Sequence, residues 1–208
     1  MFAFQDALGP VEVAFTDRHG GTSGGTFASL NLAEPGSGAA GSTEEERDAV
    51  RRNVEIVVAA FTGSDGSGPA PSVVRMRQVH GADVHVVTAG SEIATGDGLV
   101  TAETGTVLMV RVADCVPILL ADPEARVVAA VHAGRPGMVA GVVPAAYAET
   151  SWGTPALDIG AGVHAQLADA GVTTVDASRC TIEDEDLFSY RRQGAAAGRL
   201  AGLVWVRP

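Results

Sequence analysis

Three apolar runs in the middle of the chain limit its fold more than any other feature: VLMVRVADC (107–115), VPILLAD (116–122) and RVVAAVHAG (126–134). They are rich in β-branched residues and divided by Pro117 and by the turn residues Asp122, Pro123 and Glu124. Being apolar on both faces, they read as central strands covered by further layers. Strand-like and helix-like patterns alternate around them. VEVAFTDR (11–18) reads as a strand entering the Gly-rich turn HGGTSGGT. Ser42 with Glu45 three residues on reads as a capping box, and Val50, Val54, Val57, Val58 and Phe61 share one face of the helix that follows. GSDGSGPAPS (63–72) reads as a connector into VVRMRQVHGADVHVV, and a short Ala-rich piece follows Gly141. Ile159, Val163, Leu167 and Ala170 mark a second helix with Gly171 at its C′ position, and VTTVDA and AGLVWV read as late strands. No repeat or boundary interrupts this order, and 208 residues suit one large domain. The expected fold is α/β (mixed α+β), a single domain over 1–208 with layered mixed β-sheets flanked by helices.

Composition excludes several function classes. All 14 basic residues are Arg, against 25 acidic ones, for a net charge of −11. Without Lys there is no Walker-type phosphate loop, no lysine Schiff base and no pyridoxal phosphate site. No Arg cluster offsets the negative charge, which argues against nucleic acid as a partner. Two distant cysteines, Cys115 and Cys180, do not make a disulfide scaffold. MFAFQDALGP has no basic n-region and carries Asp6, so it does not read as a signal peptide, and no apolar run is long enough to span a membrane. A soluble cytoplasmic protein is expected.

Three metal-ligand residue types stand at strand ends beside turn residues: His80 in RQVHG, Cys115 in ADCVP and His132 in VHAG. Two imidazoles and a thiolate suit a catalytic zinc with an open fourth position. Their separations match no compact zinc motif, so the fold must assemble any such site. The same atoms suit a nucleophilic pair of Cys115 and a His, and a buried Cys with two backbone-satisfied His residues accounts for the letters equally well. Asp114, beside Cys115, is a candidate to orient a His, or simply a turn residue. His85 alternates toward solvent, His164 lies on the polar side of its helix, and His19 sits in a turn. Arg18 precedes HGGTSGG, whose N–H groups could form an anion nest, and Arg191, Arg192 and Arg199 follow FSY. The acidic run 183–186 gives that Arg group an equally good structural explanation.

Together, TDRHGGTSGGTFASLNL, RQVHGADV, GDGLVT, VADCVPILLAD, AAVHAG, the Cys-Thr of RCTIEDEDLFSYRR and GRLAGLVWV resemble the YfiH-type proteins, in the same order and over nearly the whole chain. That family is variously labelled purine nucleoside phosphorylase, laccase-domain or polyphenol oxidase, and peptidoglycan editing factor. The resemblance implies a zinc, ahead of copper, held by His80, Cys115 and His132, with Asp114 completing the catalytic set. It implies substrate or phosphate contacts from Arg18, Asn31, Gln78, Arg191 and Arg192. The implied reactions are phosphorolysis of adenosine, inosine and methylthioadenosine, with adenosine deamination as a second activity; the implied partners are purine nucleosides and phosphate. Multicopper chemistry needs many more histidines than five with no His-x-His pair. The alternatives are a cysteine hydrolase acting on peptidoglycan precursors and a metal-binding relative without catalysis. Two departures stand out: HAGRPG replaces the family's usual HAGWRG, and a segment ending in a Cys-x-Tyr-Glu-Val motif has no counterpart between Gly141 and Asp158.

Overall fold

The computed structural model describes residues 1–34, 37–66, 70–136, 147–149 and 155–208, with the backbone alone for 147–149 and 155–157. The first half carries β1 (Phe2–Leu8), β2 (Val11–Thr16), α1 (Glu44–Thr62), β3 (Ser72–Arg77), β4 (Val84–Val86), β5 (Ala94–Thr95) and β6 (Gly98–Thr101). The three central runs become β7 (Thr106–Val112), β8 (Val116–Asp122) and β9 (Val127–Ala133). After them come β10 (Tyr147–Glu149), β11 (Pro155–Leu157), α2 (Ile159–Asp169), α3 (Tyr190–Gln193) and β12 (Leu200–Val206).

One sheet has six strands in the order β1-β2-β12-β7-β3-β5 and a second has four in the order β4-β6-β9-β8; β10 and β11 pair separately. Both larger sheets are mixed: β3 runs parallel to β7 and β5, β4 runs parallel to β6, and the remaining pairs are antiparallel. The sheets meet through Val74, Met76, Leu108, Val110 and Val204 on one side and Leu99, Val128 and Ala130 on the other. On the opposite face of the six-stranded sheet, Val57, Val58 and Phe61 of α1 pack on Ala14, Val107, Met109, Leu203 and Trp205. Val163 of α2 packs on Ala133 beside Val116 and Ile118. The layers are therefore helix, sheet, sheet, helix, and each fully buried Leu or Val at these seams contributes about 1.5–3 kcal/mol. Among the described residues no helix is long and apolar enough to cross a membrane.

The layered, mixed α+β architecture matches the expectation, but several details differ. The capping box is Thr43 with Glu46, one residue beyond Ser42 and Glu45. Thr43 Oγ1 accepts the Glu46 N–H, and the Glu46 carboxylate reaches back to the N–H groups of Thr43 and Ser42. β8 is an edge strand, not a central one, which is where Pro117 costs no ladder hydrogen bond. VTTVDA forms no strand; Val175 is 72% exposed, and Asp176 accepts the Ser178 N–H in a turn. The period-2 signal of β4 has the opposite phase: Val84 and Val86 face solvent, while His85 turns inward to the Thr95 carbonyl. Gly171, with φ of +73°, ends α2 as expected. Most of the Ala-rich stretch after Gly141 lies outside the described residues.

Candidate metal centre

His80, Cys115 and His132 converge at one end of the interface between the two sheets, their ligand atoms all within 4.8 Å of one another. Each arrives by a different local device. β3 ends at Arg77, and Gln78 extends its pairing with β7 through the side chain: Nε2 donates to the Arg111 carbonyl and Oε1 accepts the Arg111 N–H. The chain then turns sharply, with His80 at φ of +62°, a left-handed conformation unusual outside Gly. The Asp97 carboxylate holds that turn by accepting the N–H groups of Val79, His80 and Gly81 at 3.2, 3.0 and 2.7 Å.

His132 sits near the end of β9, on the face that carries Val128 and Ala130 into the core. Its ring Nδ1 is 2.7 Å from Asp97 Oδ1, and its backbone N–H donates to the Asp97 carbonyl. With Nδ1 carrying the proton toward Asp97, Nε2 is the free lone pair, the arrangement that orients metal-bound imidazoles. Cys115 precedes β8, after Asp114 at φ of +86°. Its Sγ is 3.7 Å from His80 Nε2, and the two His rings stand 4.8 Å apart at 79°. The sulfur–nitrogen separation already matches the roughly 3.5 Å edge of a tetrahedron built on zinc–sulfur and zinc–nitrogen bonds. Two borderline nitrogens and one sulfur, leaving a position open, are a donor set for a single zinc or copper ion. They do not fit a multicopper cluster: His19, His85 and His164 are engaged elsewhere, with Asp186, Thr95, and Thr174 and Asp176.

Burial acts on the proton affinity of His132, Asp97 and Cys115. Burial, with a smaller push from His80, lowers the His132 pKa despite the neighbouring Asp97, so the ring is neutral and able to bind a cation. Burial also works to raise Asp97, but hydrogen bonds from His132 and three backbone N–H groups outweigh it and hold the carboxyl below the ordinary range. The Cys115 thiol is pushed up by burial and by Asp114, against the opposing pull of Arg191 and Arg199. A raised pKa holds the sulfur as the thiol, and ligation and nucleophilic attack both need the thiolate, which a cation bound beside it would favour.

Gly134 of the HAG motif has a steric role. A Cβ there would stand 2.4 Å from Cδ2 of His80, so the ring could not keep its place. Gly134→Ala should therefore lower zinc affinity at least tenfold while leaving the sheets folded, as for other losses of ligand support. Zinc titration alongside circular dichroism checks this; wild-type affinity in the variant would contradict it.

The remaining expected site residues scatter. Asp114 does not orient a His. Its carboxylate accepts from Thr181 Oγ1, Ser189 Oγ and the Arg191 N–H, and so anchors the turn before Cys115. Asp97 takes the orienting place. Sequence reading missed it because an Asp between two glycines is an ordinary turn signal, and its partners lie 17 and 35 positions away. Asn31 is fully buried, donating to the Ala39 carbonyl and accepting the N–H groups of Ala33 and Arg199, so its side chain organises the loops around it. Gln78 is tied at both ends to Arg111 as described. Arg192 donates to the carbonyls of Thr181, Ile182, Asp184 and Leu187, which makes it a clamp on its own segment. Arg18 donates to the Ala28 and Thr26 carbonyls with its guanidinium 4.5 Å from the centre of the Phe188 ring. In the Gly-rich turn, the N–H groups of Gly21, Thr22 and Ser23 are taken by Ser29 Oγ, Asn53 Oδ1 and the Ser29 carbonyl, so the expected anion nest is largely filled from within. Arg191 is exposed, and its backbone N–H donates to Asp114.

A two-sheet fold with a His-Cys-His cluster at the sheet junction defines an α+β protein with a site able to hold a metal ion. The family described as multi-copper polyphenol oxidoreductase laccase matches residues 12–152 and 144–207, and this chain belongs to that family, the YfiH-type proteins. It is 42% identical to a purine nucleoside phosphorylase of Streptomyces coelicolor, covering 99% of this chain and 100% of that protein, and 44% identical to one of Streptomyces griseus, covering 95% of each. The first alignment runs over 254 positions against 208 residues here, so it opens gaps opposite this chain. The crystal structure of YlmD from Geobacillus stearothermophilus has the same fold, with a TM-score of 0.79 at 26% identity, over 96% of this chain and 93% of that one.

Proposed function

We propose that this protein is a zinc-dependent purine nucleoside phosphorylase acting on adenosine, inosine and methylthioadenosine, with adenosine deamination as a second activity. The observation that carries this reading is the convergence of His80, Cys115 and His132 around Asp97, in a chain 42% identical to a protein named purine nucleoside phosphorylase. Zinc bound there would supply Lewis-acid chemistry: positive charge near the reacting atoms and acidification of water. Asp97 keeps the His132 Nδ1 proton in place and the His80 turn closed. In phosphorolysis a phosphate oxygen attacks the ribose C1′, the C1′–N bond breaks, and the purine departs with the electron pair and takes up a proton. Arg191 is the group this reading assigns to phosphate, since its guanidinium is exposed and its backbone is fixed by Asp114. In deamination water attacks C6 of the purine and ammonia leaves, with no call on phosphate. The net charge of −11 supports small-molecule partners over nucleic acid.

A second reading, a metal-binding relative without turnover, draws support from the alignment gaps opposite this chain. We place the missing segment between Gly141 and Asp158, where the family's Cys-x-Tyr-Glu-Val motif has no counterpart. Incubating the zinc-loaded protein with adenosine, with and without phosphate, separates the two. The expected products are free adenine only when phosphate is present and inosine in both cases. Neither product at full zinc occupancy would leave the second reading standing.

A further inference from the structure

Tyr190 opens α3 and is 53% exposed, while the two residues before it, Phe188 and Ser189, are completely buried. Both backbone neighbours of the ring are fastened to the residue that precedes Cys115: Ser189 Oγ donates to Asp114 Oδ1 at 2.6 Å, and the Arg191 N–H donates to Asp114 Oδ2 at 2.8 Å. Phe188 packs in the cluster against which Cys115 also rests, and Arg192 clamps the preceding turn through four carbonyls. The exposed ring therefore stands on a segment tied on both sides to Asp114, the residue before Cys115. Arg199 places its guanidinium 5.9 Å from the centre of the Tyr190 ring, and its charge is also felt by Cys115. Val79, adjacent to His80, is 50% exposed, so the His80 segment carries apolar surface next to its ligand.

A flat, exposed, pre-ordered aromatic with a guanidinium beside it is what a planar heterocycle stacks on, because little side-chain freedom is lost on binding. We infer that Tyr190 is the platform on which the purine ring of the substrate stacks, with Arg199 alongside. This rests on the purine nucleoside reading of the metal centre and adds a residue that holds the base by its flat face, whichever purine it is; none of the metal ligands or the phosphate contact does that.

The test is calorimetric titration of zinc-loaded wild type, Tyr190→Ala and Tyr190→Phe with inosine and, separately, with hypoxanthine, in phosphate-free buffer. Tyr190→Ala should weaken both ligands about tenfold or more, as loss of a base-stacking aromatic does. Tyr190→Phe should bind as wild type, and zinc content, melting temperature and the phosphate KM should not change. Wild-type affinity in Tyr190→Ala overturns the inference. So does weakened inosine binding with hypoxanthine binding intact, which would put the contact on the ribose, and so does loss of zinc or stability, which would make the residue structural. If wild type itself takes up no inosine, the purine reading falls and this inference with it; if wild type binds and Tyr190→Ala binds equally, only the inference falls.

Discussion

Asp97→Ala should strip zinc from the protein and destabilise the metal-free fold at the same time. Asp97 is only 2% exposed, and its carboxylate accepts from the Nδ1 of His132 and from the N–H groups of Val79, His80 and Gly81. Removing it leaves four donors without their acceptor, at about 1 kcal/mol or more each when buried. Relief of the carboxylate's own desolvation offsets part of that, so the expected net loss is about 2–3 kcal/mol. Zinc should suffer more than stability does. Loss of an outer partner of one ligand costs roughly 10–100-fold in affinity, and here the same carboxylate serves two ligands, the ring of one and the backbone turn of the other. Asp97→Asn keeps one acceptor oxygen but presents an amide NH2 to N–H groups, so it should fall between wild type and Ala. Competition titration with a chromogenic chelator gives the affinity, and thermal unfolding of the metal-free protein gives the stability. Zinc affinity in Asp97→Ala equal to wild type would remove Asp97 from the centre.

Cys115→Ala should abolish stoichiometric zinc and, with it, both product channels. Structural zinc sites with four ligands are worth about 10–16 kcal/mol, so one ligand accounts for roughly 3 kcal/mol, which is more than a hundredfold in affinity. Ala fills the half-buried position of Cys115 with little loss of volume, so the fold should persist and the effect should be confined to the metal. His132→Ala should lose zinc too, but with a stability cost, because it leaves the Asp97 carboxylate buried without its ring partner. Arg191→Ala, at an exposed side chain, should instead keep zinc and raise the phosphate KM. Metal analysis of the purified variants and separate assays for free adenine and inosine distinguish these patterns. Full zinc occupancy in Cys115→Ala would sink the assignment of the ligand.

The layers were legible because burial writes itself as unbroken apolar runs. β7 and β12 are buried along their whole length, and both stand out in the letters. The three ligands were legible as residue types at strand ends, and the ordered motifs raised them above a coincidence of two His and a Cys. Which sheet each strand joins was not legible. β8 and β7 look alike as strings, yet β8 lies at an edge under α2 and β7 lies in the middle of the larger sheet. The phase of β4 was misjudged for a related reason: an edge strand can expose Val84 and Val86 when the strand beside it leaves room for His85.

The sequence by itself determined the class of fold, the candidate donors and the exclusion of lysine chemistry, because these follow from residue type and local period alone. Only the tertiary structure decided which polar groups are free. Asn31, Gln78 and Arg192 have the right chemistry for a ligand but are engaged by backbone partners that arrive from distant segments. Asp97 has the commonest of turn contexts but lies where three ends of chain meet, holding the N–H groups of one ligand's turn and the ring of another. Hydrogen bonding is satisfied through space, by whichever donor or acceptor packing delivers. A residue's spare capacity is therefore a property of the folded neighbourhood and not of the letters around it.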